Sequence, residues 1–523
     1  MIDSASSVCT APAETLADLV RRLARQSPRA IALVYDGRET TYGELDALSN
    51  RVAHALRAAG TKSGSRVAIL DKNSDAFFQI VSGASKMEAV LVPVNARLAA
   101  PEIVFAINDA EAEVLFVGEG FDSVVSSIRE QLRTVRHIVV LGGEYERWRD
   151  DHPANDLEQL VSLDSVCLQL YTSGTTGFPK GVQLTHRNFL LSPPRGRGKW
   201  RWWTPDDVML LLMPLFHIAG CGTGIFGLHT GQKIIIHREF NPIEVLQTIE
   251  RERVTVAFLV PAMLLAIAAE KRSETMDLSS LKQIIYGASP IPAELLRRSL
   301  QLFSRTNFFQ VYGLTETTGV ITALEPEDHR EPGHGRMKSC GRAVDGVELR
   351  VVGGNGEIMP VGKVGEILCR TVQNMQGYWK RAEDNAKTLK DGWLRTGDAG
   401  YIDQEGYLFI HDRIKDMIVS GGENVYPAEV ESALYGHSDI ADVAVIGVPD
   451  ERWGEAVKAL VVLKQGRPAD ARAIMDYARA RLAGYKLPKS IDFVDELPRN
   501  PSGKILKRAL RERFWKGYER LVN

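Results

Sequence analysis

The sequence predicts an α/β fold in two unequal parts. A large N-terminal region of mostly parallel sheets with covering helices and a β-rich subdomain precedes a small, mobile α+β C-terminal lid. Three observations support this division. Short β-rich segments alternate with helical ones up to about residue 340, hairpin-like segments follow, and residues 417–523 carry a small αβ pattern of their own. A chain of 523 residues has room for roughly three units of about 150 residues each.

The first part opens with an amphipathic helix at 13–27, in which Leu16, Leu19, Val20 and Leu23 share one face. Short apolar segments bounded by turns then predict the strands of parallel sheets, with a helix over 75–91 between the first two strands. The predicted strands are 67–70, 92–94, 114–117, 137–141, 208–213, 233–237, 254–258 and 283–286.

The pattern changes in the last third of the chain. Segments 347–352 and 365–369 flank Asn355-Gly356, a dipeptide typical of hairpin turns, which predicts the β-rich subdomain. Beyond about residue 413 the predicted elements are a helix, two strands, a helix and a strand, at 427–436, 442–447, 457–463, 469–483 and 490–494. We therefore place an N-terminal domain at 1–412, a hinge at 413–416 and the lid at 417–523.

Composition excludes several classes of function. A net charge of −2 offers no basic field for nucleic acid, and the five cysteines show no zinc or disulfide spacing. No apolar run reaches the ~18 residues of a membrane span, and residues 1–12 lack the basic-then-apolar order of a signal peptide. We expect a cytoplasmic protein with reduced thiols, no nucleic-acid partner and no integral membrane segment. Monomer and homodimer both stay open.

The most informative segment runs from Tyr171 to Gly181, after an apolar stretch that predicts a strand. Glycines let backbone N–H groups approach an anion, hydroxyls donate hydrogen bonds, and a lysine adds a point charge suited to phosphate. The common P-loop pattern is excluded, because Phe178 and Pro179 separate the second glycine from the lysine. A solvated surface turn is the alternative. The candidate phosphate-binding residues are Thr172, Ser173, Gly174, Thr175, Thr176, Gly177 and Lys180.

Four further motifs follow this segment. They are Val311-Tyr-Gly-Leu-Thr-Glu-Thr317, Gly392-Trp-Leu-Arg-Thr-Gly-Asp398, Asp412-Arg-Ile-Lys-Asp416 and Pro498-Arg-Asn-Pro-Ser-Gly-Lys504. In this order and spacing, and over essentially the whole chain, the sequence resembles the acyl-adenylate-forming superfamily. Its members include acyl- and aryl-CoA ligases, the adenylation domains of peptide synthetases and firefly luciferase.

The resemblance implies a nucleotide site. Glu316 would hold Mg²⁺ against the phosphates of ATP, since this hard cation prefers oxygen ligands, although a lone glutamate is more often a solvated surface charge. Tyr312 would stack on adenine, and Asp398 would accept hydrogen bonds from the ribose hydroxyls. The remaining ATP contacts that the resemblance implies are Gly287, Ala288, Ser289, Gly313, Thr315 and Arg413.

The resemblance also assigns roles to the lid. Lys504 would enter the site and bridge the carboxylate and the α-phosphate, where a fixed ammonium offsets the repulsion between two anions. Lys415 would be the hinge of a lid rotation, and Gly421 and Gly422 would let the pantetheine arm of CoA pass. A basic surface tail around Lys504 and an ordinary exposed lysine at 415 are the alternatives. The implied catalytic residues are Lys504, Glu316 and Thr172.

Together these features imply an ATP-dependent acid–CoA ligase. A carboxylic acid and MgATP would give acyl-AMP and pyrophosphate, and the acyl group would then pass to the thiol of CoA with release of AMP. The terminal motif and segment 420–427 resemble the CoA-ligase version. A stand-alone adenylating enzyme that loads a carrier protein and a luciferase-like oxygenase stay open. An inactive nucleotide-binding scaffold is disfavoured because Lys504, Glu316 and Asp398 are all present.

The acid pocket is implied to lie behind residues 214–220, with His217 as its gate, although a buried structural histidine is the alternative. The other implied pocket residues are Ile218, Ala219, Ala288, Val311, Gly313, Thr318 and Gly319. These residues are small or apolar and include no cation for a second carboxylate. We therefore expect a fatty or aromatic monoacid.

Residues 193–203 interleave three tryptophans, Trp200, Trp202 and Trp203, with four basic residues. Three interpretations stay open. The segment docks peripherally on an anionic inner membrane surface, it guides the phosphates of CoA, or its tryptophans pack on the domain while its charges are solvated.

Overall fold

The computed structural model describes residues 14–172, 179–190, 203–289, 291, 293–330, 335–413, 416–420, 423–450, 453–500 and 503–516. Several candidate residues lie outside the described residues. They are Ser173, Gly174, Thr175, Thr176, Gly177, Trp200, Trp202, Lys415, Gly421 and Gly422.

Strands run along the whole described chain. Up to residue 343 they are β1 (Ile31–Tyr35), β2 (Arg38–Thr41), β3 (Arg66–Leu70), β4 (Val90–Val94), β5 (Ala112–Val117), β6 (His137–Val140), β7 (Val166–Thr172), β8 (Lys180–Thr185), β9 (Val208–Leu211), β10 (Lys233–Ile236), β11 (Val256–Phe258), β12 (Gln283–Gly287), β13 (Asn307–Leu314), β14 (Gly319–Leu324) and β15 (Arg342–Ala343). Beyond it they are β16 (Glu348–Val352), β17 (Gly365–Arg370), β18 (Gly377–Tyr378), β19 (Leu389–Lys390), β20 (Trp393–Ile402), β21 (Leu408–Arg413), β22 (Ile418–Ser420), β23 (Glu423–Val425), β24 (Ile440–Asp450), β25 (Gly454–Leu463) and β26 (Ser490–Phe493).

Helices connect and cover these strands. They are α1 (Leu16–Gln26), α2 (Tyr42–Ala58), α3 (Ala76–Lys86), α4 (Ala100–Ala110), α5 (Asp122–Ile128), α6 (Gly143–Asp150), α7 (His186–Leu190), α8 (Ile218–His229), α9 (Pro242–Glu252), α10 (Pro261–Ala269), α11 (Ala293–Leu302), α12 (Pro326–Arg330), α13 (Ala382–Thr388), α14 (Pro427–Tyr435), α15 (Ala471–Arg479) and α16 (Lys507–Glu512). Among the described helices, none is long and apolar enough to cross a membrane.

Two large sheets dominate the N-terminal part. One has the strand order β18-β8-β7-β4-β3-β5-β6 and the other β15-β14-β13-β12-β11-β9-β10-β1-β2. The central pairs of both sheets are parallel. Antiparallel strands lie at both edges of the nine-stranded sheet and at the β18 edge of the other sheet, whose opposite edge strand β6 is parallel to β5. The prediction of parallel sheets with covering helices is confirmed. The core positions are apolar runs because both faces of such a sheet are buried.

A third sheet, β16-β17-β20-β19 with β21 on β20, is antiparallel and forms the predicted β-rich subdomain. Its hairpin differs from the expectation. The turn at Asn355-Gly356 lies inside the bridge between Val352 and Ile358, whereas β16 and β17 pair through Val352 and Glu366. The dipeptide therefore closes a smaller loop within the β16–β17 connection.

The smaller α+β unit is built on a fourth sheet, β23-β22-β25-β24 with β26 on β25. It has its own apolar core, which includes Ile418, Val443, Val457 and Ile474. The third sheet ends at Arg413 and the fourth begins at Ile418, on either side of the proposed hinge. The exact domain boundaries stay a prediction.

Local chemistry explains where individual elements start and stop. Thr15 and Asp18 form a reciprocal cap on α1, whose four predicted apolar residues are buried. The helix predicted over 75–91 ends at Lys86 instead, and Glu88 takes a left-handed backbone with φ of 54°. Val90 then opens β4, because this β-branched run is buried between β3 and β7.

Candidate active site

The phosphate segment lies between two paired strands. Thr172 ends β7, and it lies opposite Lys180, the first residue of β8, in an antiparallel pair. On its other side β7 runs parallel to β4. The predicted strand before the glycine-rich loop is therefore present, and Thr172 is held at the edge of the loop by strand pairing.

Lys180 makes a contact that the sequence did not reveal. Its Nζ lies 2.7 Å from Oδ1 of Asp384 on α13, and its side chain is only 11 % exposed. The same ammonium lies 5.1 Å from the centre of the Tyr378 ring. Lys180 therefore enters the site as one half of a largely buried ion pair, whose charge Asp384 offsets.

Glu316 lies in the short turn Thr315–Thr317 at the end of β13, beside β8. Its backbone carbonyl accepts a 2.8 Å hydrogen bond from the N–H of Met375. Its Oε1 accepts a 2.9 Å hydrogen bond from the hydroxyl of Tyr378. Burial and the neighbouring Glu316 carboxylate raise the pKa of Tyr378, so the phenol stays protonated and remains a donor.

The adenine side of the site is made of tightly packed backbone. Gly287 ends β12 opposite Val311 of β13, and Ala288 follows it with a left-handed φ of 65°. A Cβ atom at Gly313 would lie 1.6 Å from the carbonyl oxygen of Gly319, so only glycine fits there. Strands β12 and β13 thus bring together the segments that the resemblance assigns to adenine.

The ribose side is built on β20. Asp398 is 4 % exposed, and its Oδ2 accepts a 2.6 Å hydrogen bond from the hydroxyl of Tyr312. Asp398 also lies opposite Arg413 of β21 in the strand register. Tyr312 and Asp398, which lie in separate motifs of the sequence, are therefore direct neighbours.

His217 precedes α8, and its ring lies 4.7 Å from that of Phe216. Burial and, to a smaller extent, the positive charge of Arg97 together lower the pKa of His217 to about 4. The Nε2 atom of His217 is buried and has no hydrogen-bond partner among the described residues. A neutral imidazole next to an apolar ring can line an acid pocket at neutral pH without placing a charge in it.

Some residues expected to line the acid pocket lie at an apolar cluster on the face of the larger sheet. Val311 belongs to this cluster, and Ala219 packs against it. A Cβ atom added to Gly319 would lie 3.9 Å from the side chain of Ile218, so these two residues are also neighbours. Thr318 differs, because its hydroxyl donates to the carbonyl of Gln373 and is buried.

Sequence reasoning missed Trp203 as a member of this cluster. Its indole donates a 2.6 Å hydrogen bond to Gln283, and its ring lies 4.5 Å from that of Phe226. Trp203 therefore packs on the domain, as one of the three interpretations of segment 193–203 proposes. Met263 also packs on the cluster, and no sequence motif pointed to it.

Lys504 lies in a tight turn of the smaller unit. Its N–H donates 2.8 Å to Oδ1 of Asn500, and its carbonyl accepts from the N–H of Asn500 at 2.7 Å. Gly503 has a φ of 81°. A Cβ atom added to it would lie 3.6 Å from Ala262 at the start of α10. The turn that carries Lys504 thus lies against the N-terminal part of the chain.

The side chains of the site fit magnesium better than a metal ion that protein side chains alone would coordinate. No group of three or more histidine, cysteine, aspartate or glutamate side chains comes together as a metal site in the part of the chain that the structure describes. Glu316 offers a carboxylate at the edge of the phosphate loop. Magnesium is commonly held by one or two carboxylates and by the phosphates of a substrate, which matches this arrangement.

Comparisons with known proteins agree with this geometry. Residues 20–379 match the family described as AMP-binding enzyme, and residues 429–504 match the AMP-binding enzyme C-terminal domain. The fatty acid–[acyl-carrier-protein] ligase ScoC of Streptomyces coeruleorubidus is 41 % identical over 98 % of both chains. A feruloyl-CoA synthase of Amycolatopsis is 42 % identical over 94 % of this chain and 98 % of its own. The anthranilate CoA ligase AuaEII, solved with anthranoyl-AMP, superposes with a TM-score of 0.87 at 31 % identity, covering 96 % of this chain and 97 % of its own.

The chain therefore belongs to the AMP-binding enzyme family, in its acyl-CoA synthetase branch. It is an ATP-dependent, AMP-forming acid–thiol ligase that works through an acyl-adenylate.

Proposed function

We propose that this enzyme activates an apolar fatty or aromatic monoacid and transfers it to CoA. One observation carries the proposal: residues 312–316, at the end of β13, connect two hydrogen-bonded pairs. Tyr312 contacts Asp398 at one end of this segment, and Glu316 contacts Tyr378 at the other. One segment therefore contacts the carboxylate that we assign to ribose through Tyr312 and carries the carboxylate that we assign to the phosphate side, Glu316.

In this proposal the chain binds ATP through three groups of residues. The ring of Tyr312 stacks on adenine, and Asp398 accepts hydrogen bonds from the ribose hydroxyls. Thr172 and the loop after it hold the phosphates with backbone and hydroxyl donors. Glu316 is the ligand of Mg²⁺, which when bound supplies charge neutralisation of the phosphate oxygens.

Lys504 supplies the charge that adenylation needs. A carboxylate and a triphosphate repel each other, and negative charge accumulates on the oxygens of the transferring group. An ammonium held by the turn around Asn500 can approach both anions and lower this repulsion. After pyrophosphate leaves, the lid turns about the hinge at Lys415 and brings Gly421-Gly422 to the site for the thiol.

The apolar cluster around Val311 supports the class of acid. Aromatic and branched side chains from several strands meet there. The lowered pKa of His217, two residues before Ala219, leaves its imidazole neutral at pH 7. Such a surface favours a hydrocarbon tail or ring over a second charged group. The names of the relatives are consistent with either choice, since ScoC is a fatty acid ligase and another relative is a feruloyl-CoA synthase.

A carrier protein is the second candidate for the thiol acceptor. The observation that favours it is the similarity to ScoC, which extends over 98 % of both chains. CoA is favoured by the resemblance of the segments around residue 422 and Lys504 to CoA ligases. The two acceptors carry the same phosphopantetheine thiol, so only a direct comparison separates them.

The test offers purified enzyme MgATP and a panel of acids: saturated fatty acids of several lengths, cinnamic-type acids and dicarboxylic acids. Pyrophosphate release is measured first without an acceptor, and thioester is then measured by mass spectrometry with CoA or a phosphopantetheinylated carrier protein. We expect apolar monoacids to release pyrophosphate and to yield acyl-CoA. Preferred turnover of dicarboxylic acids would contradict the pocket assignment, and thioester on the carrier alone would reassign the acceptor.

We also propose that the enzyme acts in the cytoplasm. The four cysteines among the described residues are free, which supports this placement. Burial raises the pKa of Cys167, Cys221, Cys340 and Cys369 and keeps them as protonated thiols. Peripheral contact with the inner membrane surface through segment 193–203 remains part of the proposal. Sedimentation with anionic liposomes, compared with a variant in which Arg195, Arg197 and Arg201 are neutralised, tests that contact.

A further inference from the structure

The segment around Tyr378 contacts both Glu316 and β8, the strand that follows the phosphate segment. Strand β18 pairs with β8 through Tyr378 and Val182, which ties this segment to the strand after the loop. The N–H of Tyr378 donates 2.6 Å to Oδ1 of Asn385, and Nδ2 of Asn385 donates 3.0 Å back to the carbonyl of Tyr378. Both backbone groups of Tyr378 are thus fixed independently of its hydroxyl.

The ring of Tyr378 lies beside an ion pair that involves helix α13. Asp384 on that helix holds the ammonium of Lys180 at 2.7 Å, and this ammonium lies 5.1 Å from the centre of the ring. The phenol in turn donates to Oε1 of Glu316. These contacts form a chain from α13 to the carboxylate.

We propose that Tyr378 is a positioning residue for Glu316, and that its hydroxyl holds one carboxylate oxygen so that the carboxylate is oriented before the divalent cation binds. A carboxylate has about four acceptor positions, so one hydrogen bond to Oε1 leaves capacity for a metal ion. Without it, the glutamate side chain would sample several rotamers, and the metal complex would have to order it. The inference rests on the proposed role of Glu316 as the magnesium ligand.

The test is Tyr378→Phe, which removes only the hydroxyl. The backbone hydrogen bonds to Asn385 and the ring contact with Lys180 do not involve that hydroxyl, so they remain. The probe is Mn²⁺ with α,β-methylene-ATP, and bound Mn²⁺ is measured by electron paramagnetic resonance. We expect Mn²⁺ in this ternary complex to bind about ten-fold more weakly, a typical effect of losing the hydrogen-bonded partner of a metal ligand.

Two further measurements separate positioning from a general loss of structure. Pyrophosphate exchange by Tyr378→Phe should need more Mg²⁺ for half-maximal rate, whereas thioester formation from synthetic acyl-adenylate should remain at the wild-type rate. The matched control is Tyr145→Phe. Tyr145 is also a buried tyrosine whose hydroxyl donates to a side chain, Gln79, at 3.0 Å. It should lose stability but bind Mn²⁺ like the wild type.

Each outcome decides the inference. Wild-type Mn²⁺ affinity in Tyr378→Phe, or an equal loss in both half-reactions, would overturn it while leaving the proposed function intact. Failure of the wild type to bind Mn²⁺ with the analogue would remove the metal role of Glu316, and the inference with it. If Tyr378→Phe does not fold, Asn385→Ala removes the side chain that holds the N–H and the carbonyl of Tyr378. It should weaken Mn²⁺ binding in the same direction, and unchanged affinity would count against the inference.

Discussion

The hydroxyl of Tyr312 donates a 2.6 Å hydrogen bond to Asp398, a carboxylate that is only 4 % exposed. A buried carboxylate needs donors, and Tyr312 supplies one in the protein without nucleotide. The ribose hydroxyls of ATP are proposed to use the same carboxylate. The hydrogen bond from Tyr312 to Asp398 therefore affects both the free energy of unfolding without nucleotide and the affinity for the nucleotide.

Replacing Tyr312 with phenylalanine should separate these two effects. Phenylalanine keeps a ring for adenine, but the free energy of unfolding without ligand should fall by about 2 kcal/mol, because a charged acceptor loses a donor. Bound ribose should restore donors to Asp398. The increase in melting temperature caused by ATP should therefore be larger in the variant than in the wild type, as measured by differential scanning fluorimetry.

Tyr407→Phe is the matched control, since Tyr407 is also buried and its hydroxyl donates 2.8 Å to a carboxylate, that of Asp328. It should lower the melting temperature and leave the ATP-induced increase at its wild-type value. An ATP effect that is equal in Tyr312→Phe and Tyr407→Phe would show that ribose and Tyr312 do not share Asp398.

Lys180 and Asp384 should behave as a coupled pair. Asp384→Asn leaves a largely buried ammonium without its anion, which should cost about 3 kcal/mol in urea unfolding. In the double variant Lys180→Met and Asp384→Leu, most of this stability should return, because no buried charge remains unpaired. If Lys180 also contacts phosphate, as proposed, the double variant should bind ATP about ten-fold more weakly in calorimetry, a typical loss for one charge-assisted hydrogen bond. ATP affinity equal to the wild type would exclude Lys180 from the phosphate contacts.

The sequence predicted the strands that carry this site because each strand is marked by residues close together in the sequence. Apolar runs marked the strands, and Thr172 and Gly287 do lie at the ends of β7 and β12, where ligands bind in such sheets. Two helices were predicted too long: 75–91 ends at Lys86, and 469–483 is helical only over Ala471–Arg479. The apolar run that begins at Ala89 suits a helix or a buried strand equally well, so the end of the first helix was missed. The left-handed residue Glu88, which follows that helix, has no strong sequence signature.

The contacts that orient the site could not be predicted. The pairing of Lys180 with Asp384 and of Glu316 with Tyr378 depends on β18, a strand of two residues that has no periodicity to recognise. The indole of Trp203 illustrates the same limit, since its partner Gln283 lies on β12, 80 residues further along the chain. Such contacts follow from which strands become neighbours, and that information is distributed over the whole fold.

Stability in mild acid should depend on His329. Its ring is tied at both nitrogens, with Nδ1 2.7 Å from the carbonyl of Glu325 and Nε2 2.9 Å from the hydroxyl of Tyr286. Burial lowers the pKa of His329 to about 4, below its unfolded value near 6.5. Between these pH values the unfolded chain binds the proton and the folded chain does not, so stability is full above about pH 6.5 and falls as pH drops toward 4.

At pH 5 this loss should reach about 2 kcal/mol for His329. His329→Gln cannot take up the proton, so its free energy of unfolding should change less than that of the wild type between pH 7 and pH 5, as measured by urea titration. His186, whose pKa burial also lowers to about 4, titrates alike in both proteins. The raised pKa values of Asp71, Asp75 and Glu455 act in the opposite direction, also in both. Identical pH dependence in the two proteins would contradict the assignment.

Lys504 should be required for one half-reaction only. Lys504→Ala removes the ammonium that offsets repulsion between the acid and ATP, so acyl-adenylate formation should fall on the order of 10³-fold. Thioester formation from synthetic acyl-adenylate involves no attack on a phosphate, so it should stay near the wild-type rate.

Arg508→Ala is the control, because it removes another cation close to Lys504 in the sequence. The Arg508 side chain is 62 % exposed, and among the ion pairs of the described residues it pairs only with Glu512, which is 57 % exposed. Pyrophosphate exchange and acyl-CoA production are measured separately for each variant. Equal losses in both half-reactions of Lys504→Ala would mean that the lysine supports the lid and does not act on the phosphate.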